Sequence, residues 1–188
     1  MPLSNSFRGI FINCGTYLWC SSHNVSDVAV GLVEPSMDAR PNAVLELTTS
    51  SPSVGEAVVT YAYPETEIEA GEIRQVLNFK ATFYYGKLED CFPHGRDRTI
   101  HPEPCYQTSI VTRGGASGGP VMGKDGRVFA VNSTGFDGVD SVSFSSRIDE
   151  ILKLEVPYIK LPDGQEVSDT TVQGLAIAKW IAFEPPIE

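Results

Sequence analysis

The chain has 188 residues, 14 Lys and Arg against 24 Asp and Glu, 17 Gly, 13 Pro and 41% hydrophobic residues, a composition that folds rather than staying disordered. Its length suits one compact domain or two small barrels sharing an interface, and excludes two large domains. A net charge of −10 repels phosphate backbones, which are bound through Lys and Arg, so nucleic acid is not an expected partner.

From the start of the chain, residues 1–20 lack the basic opening and apolar run of a signal peptide, and no stretch reaches the roughly 18 apolar residues of a membrane span. The expected location is cytoplasmic if Met1 is the native start, and extracytoplasmic if a further N-terminal segment precedes it. Alternation at period two predicts strands over 10–12, 28–33, 44–47, 57–63, 128–131 and 142–144. Glu65, Glu67, Glu69 and Glu72 around Ala70-Gly71 read as a solvated hairpin without metal-ligand spacing. Phe83-Tyr84-Tyr85 read as part of an alternating strand packed on core and neighbours.

Cys14, Cys20, Cys91 and Cys105 form no C-x-x-C pair and no zinc-finger spacing, so no metal and no cofactor is expected. Cys91 and Cys105 bracket a loop that holds His94 and His101; either a bridge worth roughly 3 kcal/mol or two thiols suits that spacing. Turn signals fall at 123–127, 136–138 and 162–164. Helical pattern is confined to 146–154, with Ser146 as N-cap, and to 172–183, which reads equally as helix or strand. Many short strands between regular turns give an all-β sandwich or barrel, with the chain beyond Pro157 as an appendage.

One segment stands out chemically, T-R-G-G-A-S-G-G-P-V-M over 112–122. Four glycines crowd Ser117, more than an ordinary turn needs, which points to backbone with positive φ that something approaches closely. The chemical use of such backbone is an oxyanion hole beside a hydroxyl that can attack a carbonyl.

G-A-S-G-G-P resembles the nucleophile motif of the trypsin-like serine proteases. V-F-A-V-N-S-T-G over 128–135 resembles their cleft strand, S-D-V-A-V-G-L-V over 26–33 the segment of the triad aspartate, and V-G-E-A-V-V-T-Y-A-Y-P over 54–64 the entry to the second barrel, in the manner of the bacterial high-temperature-requirement branch. The resemblance runs from about 27 to 152. It implies an all-β double β-barrel, with residues 1–50 a remnant of the first barrel, 51–156 a complete second barrel carrying the nucleophile, and 157–188 a C-terminal extension. It implies Ser117 as nucleophile, the N–H groups of Gly115 and Ser117 as oxyanion hole, and Asp27 as the residue orienting the base. Val131, Asn132, Ser133 and Thr134 would pair with an extended polypeptide substrate or ligand by strand addition. The specificity pocket would have its base near Val111 and Thr112 and a wall near Ser143; with no carboxylate at Val111, a small or apolar side chain is expected there.

Two departures matter. Ala116 stands where zymogen-activated members carry an aspartate, so that switch is not expected. Asp27 has only 26 residues before it, whereas the family's histidine precedes the aspartate by several tens of residues. His23 lies four residues before Asp27, about 13 Å away along an extended strand, and needs an intervening turn to act as base. Otherwise the base comes from an N-terminal segment or partner chain outside this sequence. Three functions therefore stand as expectations: a serine endopeptidase acting through an acyl-enzyme on Ser117, an inactive protease-like module that binds peptide or protein, and an unrelated β-sandwich interaction domain.

Overall fold

The alternation of 57–63 becomes strand β3 (Ala57–Ala62), in which Val58, Thr60 and Ala62 are buried and the intervening residues are not. That period-two burial is the signature of a strand with one face on a core. The computed structural model describes residues 15–22, 26–35, 45–64, 67–70, 75–78, 80–112, 114–135, 142–161 and 164–181, with the backbone alone for 15–20, 33–35, 67–70 and 75–78.

In chain order the described strands are β1 (Gly15–Ser22), β2 (Ala29–Pro35), β3, β4 (Glu67–Ala70), β5 (Gln75–Asn78), β6 (Thr82–Phe92), β7 (Cys105–Thr108), β8 (Pro120–Met122), β9 (Val128–Gly135) and β10 (Ser143–Arg147). A 3-10 turn (Ile148–Lys153) leads into β11 (Glu155–Lys160), β12 (Glu166–Thr171) and the helix α1 (Val172–Ile177). Strands β10, β7, β6, β3, β8 and β9 pair antiparallel in that order and close into a barrel. Closure removes the free edges that would otherwise seed association. Inside it Val58, Leu88, Tyr106, Ile110, Val121, Phe129 and Ala130 form one cluster, with the rings of Tyr106 and Phe129 edge to face at 5.2 Å. Burying each of the larger of these side chains contributes about 1.5–3 kcal/mol.

β9 is covered on its outer face too, where Met122, Val128 and Ile148 gather Leu47, Val59, Tyr61 and Val131. Strands β1 and β2 form a separate two-stranded antiparallel sheet. β11 and β12 form a hairpin whose turn is closed by Gly164 N–H donating to Leu161 O at 2.9 Å, with Gly164 at φ 88°. Val28, Leu154, Val156, Val172 and Leu175 then make a third cluster, so the C-terminal elements pack against the segment that follows Asp27.

The predicted strands over 28–33, 57–63, 128–131 and 142–144 correspond to β2, β3, β9 and β10, the last two extending further than expected. The acidic hairpin is β4 and β5, and the aromatic run lies in β6. The strand over 10–12, the turn over 136–138 and His23 lie outside the described residues. Residues 146–154 depart from the helix expected of them: Ser146 is the buried penultimate residue of β10, and only a 3-10 turn from Ile148 follows. The ambiguous stretch from 172 opens as helix because Thr171 Oγ1 accepts from Gly174 N–H at 3.1 Å, a side-chain N-cap.

Cys91 and Cys105 are free thiols. In the ladder Cys91 faces Tyr106 and Phe92 faces Cys105, so the two cysteines point to opposite sides of the sheet. No described helix is long and apolar enough to cross a membrane.

Candidate active site

The Ser117 loop is shaped by hydrogen bonds from its own backbone. Gly119 N–H donates to Ala116 O at 3.0 Å, closing a turn over Ser117 and Gly118. Gly118 has φ 85° at the third position of that turn, where a side chain is strained and glycine is not. Gly115, two residues before the serine, has φ 95°. Gly119 is required for space: a Cβ there would lie 2.7 Å from Tyr61 O and 3.0 Å from Ala116 O, both main-chain atoms.

Asn132 holds this loop to the barrel. Its N–H donates to Gly119 O at 2.9 Å and its carbonyl accepts from Gly118 N–H at 2.8 Å. Its side chain is buried, donating to Thr60 Oγ1 at 2.7 Å and accepting from Ser145 Oγ at 3.3 Å. Ser117 is thereby left exposed on a braced turn, and its Oγ donates to Ser133 O at 3.0 Å.

Asp27 arrives from the other side. Ser133 Oγ donates to Asp27 Oδ2 at 2.7 Å, so the expected nucleophile and the expected orienting carboxylate meet on one residue of β9. The segment before Asp27 is clamped by Ser26 Oγ, which donates to buried Glu150 Oε2 at 3.0 Å; Lys153 Nζ donates to the other oxygen of Glu150 at 2.7 Å. Nothing in the sequence pattern singled out Glu150 or Ser26; their pairing spans 124 residues.

The remaining candidate residues divide. Val131 pairs with Pro120 on one side and Ser146 on the other, and the main chain of Asn132 is taken by the serine loop, so the main chains of both have partners on each side. Thr134 pairs with Phe144 on one side, which leaves 133–135 as the stretch of β9 that runs past the end of β8. Ser143 is buried and its Oγ donates to Ile110 O at 2.7 Å, while Thr112 Oγ1 lies 3.4 Å from Ser143 Oγ. Val111, by contrast, is 56% exposed and does not join them.

Among the described residues no imidazole hydrogen-bonds Ser117. His94 is exposed. His101 is buried against Phe144, ring centroids 4.6 Å apart, with Nδ1 3.6 Å from Glu103 Oε1. No group of three or more His, Cys, Asp or Glu among the described residues is arranged for a metal ion. Nearby Cys105 is held as a thiol: burial first, then the Glu103 carboxylate, push it up to about 11. A surface depression bounded by Thr48, Pro52, Glu56, Lys124 and Phe129 shares no residue with this group.

Residues 16–131 match the family model of the trypsin-like peptidase domain. The chain belongs to the trypsin-like peptidase domain family. No curated protein matches it significantly. Among solved structures it is similar to Rv3671c of M. tuberculosis H37Rv, in a mutant described as an inactive form, at 20% identity and a TM-score of 0.52 over 73% of this chain and 62% of that one. It is similar also to Deg5, at 20% identity and a TM-score of 0.50 over 73% of this chain and 56% of that one. At such identity the likeness establishes the fold, and this chain spans less than two thirds of the length of either. The closed trypsin-like barrel overturns the expectation of an unrelated β-sandwich, because a sandwich leaves two open sheets and here β9 and β10 complete a ring.

Proposed function

We propose that this trypsin-like domain is a serine endopeptidase in which Ser117 Oγ attacks the carbonyl carbon of an extended polypeptide. The observation that carries the reading is the convergence of Ser117 and Asp27 on Ser133, together with the positive-φ glycines that bracket the serine. The attacking hydroxyl passes its proton to an imidazole, forming the acyl-enzyme as the peptide C–N bond breaks, and the same imidazole protonates the leaving amine. The N–H groups of Gly115 and Ser117 stabilise the oxyanion. Asp27 orients the imidazole, for which His23 is the candidate within this sequence and a preceding segment or partner chain the alternative. Residues 133–135 receive the substrate main chain as an added strand.

One observation favours a second reading, a peptide-binding module without catalysis: the Ser117 hydroxyl proton is given to a main-chain carbonyl rather than to a base. A fluorophosphonate probe separates the two when labelling is followed by intact mass, with Ser117→Ala as control. Stoichiometric labelling of the parent chain that disappears in the variant is the expected result. A folded chain that takes up no probe sinks the endopeptidase reading for this sequence as it stands and leaves the binding module.

A further inference from the structure

We infer that His101 and Glu103 form a proton-operated latch: when the His101 ring takes its second proton, the loop 93–104 is locked onto strand β10, and when the ring gives that proton up the lock loosens. The inference stands apart from any chemistry at Ser117.

The loop folds back on itself around His101. Arg96 N–H and Asp97 N–H both donate to His101 O, at 2.8 and 3.2 Å. Gly95 has φ 82°, and a Cβ there would collide with Pro102 O, so the two arms of the loop touch main chain to main chain. The His101 side chain is buried on Phe144 of β10, and Phe144 pairs in the ladder with Thr134, within the stretch of β9 that runs past β8. What happens at His101 is thus one strand away from 133–135.

Neither nitrogen of the His101 ring has a hydrogen-bond partner among the described residues. A neutral imidazole in that position leaves one donor and one acceptor buried and unused, which is costly. Glu103 is buried beside it, with Oε1 3.6 Å from Nδ1. A second proton turns the ring into a cation facing that carboxylate, and an approach of roughly 0.8 Å makes a charge-assisted hydrogen bond of ordinary length. The other charges near the ring do not substitute for this pair. Arg96, its guanidinium 4.5 Å from the centre of the Phe144 ring, opposes the imidazolium, but it lies in solvent and is screened whereas Glu103 is not. Asp97 Oδ1 already accepts from the N–H groups of Thr99 and Ile100. Cys105 of β7, pushed up to about 11, stays a neutral thiol. Arg147 of β10 is paired with Asp149 at 2.7 Å, and β9 carries no charged residue. Histidine is the side chain that changes charge between pH 5 and 8. Because the folded loop favours the protonated ring, the latch is closed at the acid end of that range and is lost as pH rises through it.

The test is hydrogen exchange of the 188-residue chain at about pH 5.5 and about pH 8, expressed as protection factors corrected for the intrinsic exchange rate. The reporters are the amides of Arg96 and Asp97, which are bonded to His101 O. Their protection is expected to be at least about tenfold higher at the acid pH, with Val121 and Ala130 in the barrel unchanged. Glu103→Gln, which removes the charge but keeps the shape, should abolish the difference. So should His101→Phe, which keeps a ring on Phe144. His94→Gln, which removes the exposed imidazole of the same loop, should leave the difference intact. Equal protection of Arg96 and Asp97 at the two pH values in the parent chain overturns the latch, whether or not the variants fold, and so does protection that rises with pH. A difference that survives Glu103→Gln, disappears with His94→Gln or is matched at Val121 and Ala130 overturns it as well. The reporters need neither a peptide nor a working serine, so a chain that takes up no fluorophosphonate leaves this result standing.

Discussion

At the scale of single residues, glycine and asparagine decide the serine loop by different means. Gly115 and Gly118 were legible because positive φ is a backbone demand that composition betrays, as four glycines around Ser117 do. Asn132 was not legible in this way. In sequence it reads as one more position of a strand, and which edge of a strand is taken depends on its neighbours, here the serine loop itself. The main chains of Val131 and Asn132 are taken up by β8 and the serine loop, and 133–135 run past the end of β8. Asn132→Ala would leave the buried Thr60 hydroxyl without its donor and should cost about 1–3 kcal/mol in urea denaturation. Gly119→Ala should act on function more than on stability, because its Cβ meets Tyr61 O and Ala116 O and only the loop can give way; fluorophosphonate labelling of Ser117 is expected to fall at least about tenfold. At Cys105 the raised thiol range carries a pH sign. The thiolate is the reactive form, so the native chain should leave Cys105 unalkylated by iodoacetamide at pH 8 and react only as pH approaches about 11 or on unfolding, as peptide mass mapping would read directly.

At the scale of elements, the ladder outranks local propensity. The stretch 146–154 has apolar spacing and an N-cap serine suited to a helix, yet Ser146 and Arg147 pair with Val131 and Ala130, which holds both in extended backbone. The helix is thereby reduced to a 3-10 turn from Ile148, with Arg147 at φ −71° and ψ 141° and no side-chain cap. Its acidic residue Glu150 does not cap a helix; its oxygens take Ser26 and Lys153 and tie this turn to the Asp27 segment. That link could not be read in advance, since no pattern relates positions so far apart in the chain. Glu150→Gln retains an acceptor for Ser26 and should be nearly silent. Glu150→Ala should cost about 1–3 kcal/mol and speed hydrogen exchange at Val28, whose N–H is bonded to Ser26 O, without speeding exchange in β6 or β7. Equal loss of protection in the barrel strands would mean that Glu150 supports the whole fold and not the Asp27 segment in particular.

At the scale of the whole molecule, the all-β architecture was readable from alternation and turn spacing, because a strand with one covered face writes its burial into the sequence at every second residue. The place of the C-terminal elements was not, because the stretch beyond Pro157 carries surface-like alternation that says nothing of which surface it meets. It meets the segment after Asp27: Val28 shares a cluster with Leu154, Val156, Val172 and Leu175, and Val30 packs against it. Asp27 therefore sits between two supports, Ser133 of the barrel on one side and this cluster on the other. The consequence is a coupling between distant parts of the chain. Leu175→Ala removes a buried side chain from α1 and should lower stability by about 2–5 kcal/mol if the cluster and the barrel unfold together. If they are separable, the loss appears as local opening, with faster exchange confined to β2, β11 and β12 and an unchanged barrel. In this second case the geometry at Asp27 degrades before that at Ser117, whose turn is braced by Asn132 and Gly119 within the barrel alone. Hydrogen exchange of the variant, read separately for residues 28–32 and 128–135, checks this order. Simultaneous loss at both sites would mean that the barrel depends on its C-terminal elements for its own closure.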